Sequence, residues 1–142
     1  MIDRSALAVW TGGIKDGERR ISMDSGVLAD SPYSFSTRFE SEPGTNPEEL
    51  IGAAHAGCYS MALSKVMAEA GLTPEKIETT ATVSLTKSDA GIQISAVHLD
   101  TRVTSRGADE EAFQAAAEGA KNSCPVSQVL NAEITLAATL VG

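Results

Sequence analysis

The stretch from Asn46 to Gly71, NPEELIGAAHAGCYSMALSKVMAEAG, constrains the fold more than any other part of the chain. It reads as one long helix with Cys58, one of two cysteines, in its middle. Asn46 suits the N-cap, and Pro47 suits the first helical position, where a missing N–H costs nothing. Glu49 stands three residues after Asn46, as in a capping box, and Glu48 adds negative charge to a first turn that favours it. Gly71 is a natural stop. Leu50, Ala54, Cys58, Met61, Ala62 and Val66 recur at helical spacing and predict the apolar face. Glycines and alanines fill much of the first half, so a second backbone can approach closely there. Such a helix is expected to be buried on more than one side.

A length of 142 residues suits a single domain, 1–142, with a real core. With 42% hydrophobic and 21% charged residues the class is soluble globular. A net charge of −8 argues against nucleic acid or an anionic membrane as partner. No apolar run is long enough to span a bilayer. The opening MIDRSALAVW lacks the pattern of a secretory signal, which predicts a cytoplasmic protein. A structural disulfide is unusual in that compartment, so the two cysteines are read as free, metal-bound or redox-active. Cys58 and Cys124 form no CxxC, and any pairing between them is tertiary.

Along the chain, Ala6 to Trp10 is a short apolar stretch. Asp16-Gly17, within Ile14 to Met23, predicts a hairpin turn with a strand on each side. Tyr33, Phe35, Thr37 and Phe39 alternate with polar residues. They predict a half-buried strand that carries Arg38 on the face opposite the aromatics. After the cysteine helix and a turn at Thr73-Pro74-Glu75, strands are expected over Thr79–Leu85 and Ile92–Val103. The second changes parity, which predicts a bulge near Ala96 or burial on both faces. Asp109 caps a second helix with Phe113, Ala116, Ala117 and Ala120 inward. Cys124-Pro125 opens a short helical turn through Leu130, and Glu133 to Val141 alternates as a last strand. This order predicts an α+β fold with mostly antiparallel pairing around the long helix.

A reactive cysteine acts as its thiolate. Cys124 precedes a predicted helix start whose unpaired N–H groups favour one. Cys58 lies too far inside its helix for that help, so it reacts only if a cation stands near. Arg38 is the best candidate for that cation, and a carboxylate such as Glu48 can hold its fork. The competing reading is a buried, inert thiol. His55 and Cys58, three apart, can share a metal on one helix face. His98 reads as structural. The aromatics Tyr33, Phe35 and Phe39, with Met61 and Met67, are either core or the lining of an apolar pocket beside Cys58. The chain carries no nucleophile elbow, phosphate loop or paired-CxxC zinc pattern.

Three runs carry a resemblance that the spacing alone does not give. NPEELIGAAHAGCYSMAL (46–63) resembles the peroxidatic-cysteine segment of the OsmC/Ohr family, the osmotically inducible and organic-hydroperoxide-resistance proteins. NSCPVSQVLNAEI (122–134) resembles its second-cysteine segment, and SGVLADSPYSFSTRFE (25–40) is similar to the OsmC branch. The resemblance implies a thiol peroxidase acting on organic hydroperoxides and hydrogen peroxide. Cys58 then matches the peroxidatic cysteine, Cys124 the resolving one, Glu48 the motif glutamate and Arg38 the OsmC-branch arginine. It also implies an intertwined α+β homodimer without metal or organic cofactor. The implied chemistry is a Cys58 sulfenic acid, then a Cys58–Cys124 disulfide, reduced by a small dithiol or a lipoylated protein. The alternatives are a thiol-based redox sensor without turnover, or a metal-binding module using His55, Cys58 and Cys124.

One point of geometry bears on the implied site. Ten residues along a helix separate Glu48 and Cys58 by about 15 Å and about 80°. Either the helix breaks at Gly52 or Gly57, or a second copy's helix brings its own Glu48 to this Cys58. The small residues of the first half favour the second arrangement.

Overall fold

Strands β1 (Ala6–Thr11) and β2 (Glu18–Met23) pair antiparallel, from Ala6 opposite Met23 to Thr11 opposite Glu18. In this computed structural model, which describes residues 1–141, they begin the first of two units, Met1–Leu50 and Ile51–Gly142. The hairpin turn falls at Asp16-Gly17 as expected, but the loop spans residues 12–17 and takes in Ile14. Asp16 Oδ1 accepts the Gly13 N–H at 2.9 Å. The Arg19 guanidinium donates to the carbonyls of Gly13 and Gly17 and lies 4.3 Å from the Trp10 ring centroid. A two-residue strand β3 (Ser31–Pro32) completes this sheet in the order β1-β2-β3.

The strand predicted over Tyr33 to Glu40 is instead a short helix, α1 (Phe35–Phe39). Ser34 and Thr37 form a capping box: Ser34 Oγ accepts the Thr37 N–H at 3.1 Å, and Thr37 Oγ1 accepts the Ser34 N–H at 2.8 Å. Phe35 and Phe39 are also four apart, and their rings meet at 4.9 Å on one helix face. Tyr33 lies outside the helix, edge-on to Trp10 at 6.4 Å. The period-2 pattern was thus equally an i,i+4 pair, and the local cap decides between them.

Helix α2 (Pro47–Glu69) is the predicted cysteine helix. Asn46 Oδ1 accepts the Glu49 N–H at 2.8 Å. At the other end the N–H groups of Gly71 and Leu72 donate to the carbonyls of Ala68 and Met67, with Gly71 at φ +77°. That left-handed turn is the Schellman stop that glycine allows.

The unit Ile51–Gly142 holds a second sheet, β4 (Lys76–Ser88), β5 (Gly91–Thr104) and β6 (Glu133–Val141), in that order. β4 and β5 are antiparallel, whereas β5 and β6 run parallel. The parallel return is made through α3 (Glu110–Ser123) and α4 (Pro125–Val129). The predicted bulge is present: Ser84 faces Ala96 and Leu85 faces Ile94, so Ser95 is unopposed. Asp109 caps α3 as expected, accepting the Ala112 N–H at 2.9 Å.

The core of this unit lies between α2, α3 and β5. Tyr59, Leu63 and Met67 meet Val97, Leu99, Val103 and the α3 face of Phe113, Ala116, Ala117 and Ala120. Each fully buried large apolar side chain contributes about 1.5–3 kcal/mol. Gly52 lies against β4, where an added Cβ would stand 3.3 Å from the Ala81 carbonyl oxygen.

The buried stripe of α2 differs from the predicted one. Gly52, His55, Tyr59, Leu63 and Met67 face inward. Ala54 and Met61, predicted inward, are exposed, together with Ala53 and Gly57. Burial of Tyr59 and His55 depends on distant polar partners. Tyr59 donates its hydroxyl to the Ala117 carbonyl at 3.1 Å, and His55 meets Ser127. Local apolar spacing carries no record of either.

Candidate active site

Cys124 is both the last cap of α3 and the N-cap of α4. Its extended backbone (φ −60°, ψ 121°) and the following Pro125 turn the chain sharply, aiming the side chain at α2. There its sulfur stands 3.0 Å from that of Cys58. This is longer than a disulfide bond of about 2.05 Å and short enough for one thiol to donate to the other. Both cysteines are free. Cys124 is fully buried, whereas Cys58 opens onto a cleft of about 360 Å³. Met61, Ala62, Val66 and Pro125 make that cleft mainly apolar, with Lys65 and Ser123 as its polar lining. Met61 therefore serves the pocket of the sequence reading, while Met67 is core.

The two sulfurs do not ionise equally easily. Burial alone would push the Cys124 thiol up. The Cys58 thiol and the neighbouring polar groups of Ser127 and Val126 outweigh burial and hold it below its usual value. Burial and the contact with Cys124 push Cys58 up, against one hydrogen bond from the Val126 backbone. Within this unit Cys124 is therefore the more readily ionised of the two. The direction at Cys124 is the one expected of a thiol at a helix start, and nothing in this unit lowers Cys58 enough to offset its burial and its contact with Cys124.

Arg38 and Glu48 form a second pair, in the unit Met1–Leu50. Arg38 projects from α1 and Glu48 from the first turn of α2. The Arg38 Nε and Nη2 groups both donate to Glu48 Oε1, at 3.1 and 2.9 Å, and Nε also reaches Oε2 at 3.3 Å. The carboxylate is mostly buried, and the guanidinium sits 5.0 Å from the Phe39 ring centroid. The four predicted residues thus assemble as two pairs, one in each unit. Helix α2 is unbroken at Gly52 and Gly57.

His55 is fully buried and bound through Nε2 to Ser127 Oγ at 2.7 Å. Among the described residues no group of three or more His, Cys, Asp and Glu is placed to hold a metal ion. His98 on β5 pairs with its register partner Thr135 on β6, Nδ1 to Oγ1 at 2.7 Å. Ser127 is the site residue that sequence reasoning passes over. Its one local signal is its place three residues after Cys124, in the turn that Pro125 opens.

A family model described as OsmC-like protein matches residues 39–139, a span that includes Glu48, Cys58 and Cys124. A peroxiredoxin OsmC of Escherichia coli (strain K12) is 56% identical over 135 residues, 95% of this chain and 94% of that protein. The crystal structure of the organic hydroperoxide resistance protein OhrB of Bacillus subtilis superposes with a TM-score of 0.72 at 27% identity, covering 97% of this chain and 98% of that one. An OsmC-like protein from Mycoplasma pneumoniae has the same fold, with a TM-score of 0.77 at 16% identity over 99% of each chain. The α+β architecture described above is the OsmC/Ohr fold, and the chain belongs to the OsmC family.

Proposed function

We propose that this chain is a cysteine-based peroxidase that reduces organic hydroperoxides, and hydrogen peroxide, to alcohols and water. The observation that carries the reading is the 3.0 Å approach of Cys58 and Cys124 sulfurs, with only Cys58 open to an apolar cleft. The Cys58 thiolate attacks the outer peroxide oxygen. The O–O bond breaks, the alkoxide leaves and takes a proton, and Cys58 becomes a sulfenic acid. Cys124 then displaces hydroxide from that sulfur to close the disulfide. A small dithiol or a lipoylated protein in the cytoplasm reopens it.

The cation that Cys58 lacks is Arg38, held by Glu48 and supplied from a second copy in an intertwined homodimer. Each chain, 1–142, acts as one domain of that dimer. Two observations support the partner arrangement. The unbroken α2 leaves Glu48 about 15 Å along the axis from its own Cys58. The face of α2 bearing Ala53, Ala54 and Gly57 is exposed and small enough for close approach of another helix. A guanidinium there favours the thiolate on Cys58 over one on Cys124, the proton passing from Cys58 to Cys124.

The test is steady-state consumption of cumene hydroperoxide and hydrogen peroxide with dithiothreitol or dihydrolipoamide as donor. Sustained turnover with either donor is expected. A single turnover with no recycling by either dithiol would favour a redox sensor.

A further inference from the structure

The sulfur pair has a buried polar attachment that the peroxide chemistry above does not use. His55 precedes Cys58 by one helical turn and is fully buried. Its Nε2 lies 2.7 Å from Ser127 Oγ, tying α2 to α4. Its Nδ1 is buried without a partner. A neutral imidazole carries one N–H. Placed on Nδ1, that proton would be a buried donor with no acceptor. Placed on Nε2, it bonds Ser127 and leaves only a lone pair unmatched, the less costly of the two. Burial also lowers the His55 pKa and keeps the ring neutral. Ser127 Oγ therefore accepts from His55, and its own proton is left to bond elsewhere. Cys124 stands one turn earlier, and the Ser127 hydroxyl is among the groups that favour its thiolate.

We infer that His55 and Ser127 are positioning residues for disulfide closure, His55 fixing the Ser127 hydroxyl so that it donates to the Cys124 sulfur. The inference rests on the peroxidase reading and assigns the step after peroxide reduction. In that step a lone pair of the Cys124 thiolate forms the S–S bond with Cys58, and the S–O bond of the sulfenic acid breaks. Hydroxide leaves with that electron pair and is neutralised by the proton Cys124 has released. Cys124 is oxidised and the sulfenic sulfur reduced by the same count. Ser127 and His55 exchange no proton. They hold the attacking sulfur ionised and aimed in a site where water cannot do so.

The test separates titration from turnover. In a Cys58→Ser background the ultraviolet absorbance of the remaining thiolate reports Cys124 alone. Tyr59, the other titratable group bearing on it, has its pKa pushed above its usual value and stays protonated across the range. Ser127→Ala and His55→Phe should move the titration to higher pH. In chains retaining Cys58 they should slow disulfide closure about tenfold relative to sulfenate formation, read as extra dimedone adduct after one equivalent of cumene hydroperoxide. Ser127→Thr keeps the hydroxyl and His55→Gln keeps a donor at the Nε2 position, so both should retain the parent titration. Should His55→Phe fail to fold, Ser127→Ala against Ser127→Thr decides. An unmoved titration in Ser127→Ala, or an equal shift in Ser127→Thr, overturns the inference. The titration uses no peroxide. If the parent chain forms no sulfenate, the peroxidase reading falls while the titration still decides the role of Ser127.

Discussion

Glu48 Oε1 accepts from two nitrogens of Arg38 at once, Nε at 3.1 Å and Nη2 at 2.9 Å, so Nη1 takes no part in the pair. A fork gripped on one side is fixed in plane and keeps its other edge for an anion. We predict that Arg38→Ala raises the Cys58 pKa and slows peroxide reduction by roughly a hundredfold or more. Arg38→Lys should recover little, because an ammonium cannot share the grip. Thiolate titration by ultraviolet absorbance and single-turnover kinetics check this. An unchanged Cys58 titration in Arg38→Ala removes Arg38 from the site.

Cys124→Ser should still reduce one equivalent of peroxide per chain and then stall. With no sulfur 3.0 Å away to close a disulfide, the Cys58 sulfenic acid remains open to further oxidation. Mass spectrometry after excess peroxide should find sulfinic and sulfonic Cys58. Its absence would take the resolving role from Cys124.

What the sequence made legible was local. Asn46, Pro47 and Gly71 bounded α2, Asp109 capped α3, and the parity change in β5 pointed to a bulge near Ala96, next to the Ser95 that is unopposed, because each of these is a contact within a few residues. Two readings failed where two local rules competed or where distant groups decided. Ser34 and Thr37 turned an apparent strand into α1, and the inward face of α2 was set by Ala117 and Ser127, far along the chain. The Cys58–Cys124 approach has the same origin. Spacing could not give it, and only resemblance to a family named the two sulfurs as partners.

Mixing Cys58→Ser chains with Glu48→Ala chains, unfolded and refolded together, tests the shared site. Neither homodimer should turn over peroxide. Heterodimers should contain one site with both residues intact and recover about half the activity per dimer, as two-fold symmetry requires. No recovery in proven heterodimers of folded variants would assign Glu48 to the Cys58 of its own chain.

His55 should also set an acid limit on stability. Its pKa is lowered in the folded chain, so the unfolded chain binds its proton first. The stabilisation is full above the unfolded value of about 6.5 and falls as pH drops from there towards the folded pKa. Urea midpoints should decrease from pH 7.5 to pH 5.5, with the His55→Gln variant losing less over the same interval. An equal loss in both would place the acid sensitivity elsewhere.

The most direct test of the account is a single turnover. Reduced protein is given one equivalent of cumene hydroperoxide, and alcohol, free thiols and cross-linked peptides are measured together. The account predicts one equivalent of alcohol per chain, loss of both thiols, a Cys58–Cys124 disulfide, and no reaction in Cys58→Ser. Alcohol formed with both thiols intact, or at the parent rate in Cys58→Ser, would contradict it.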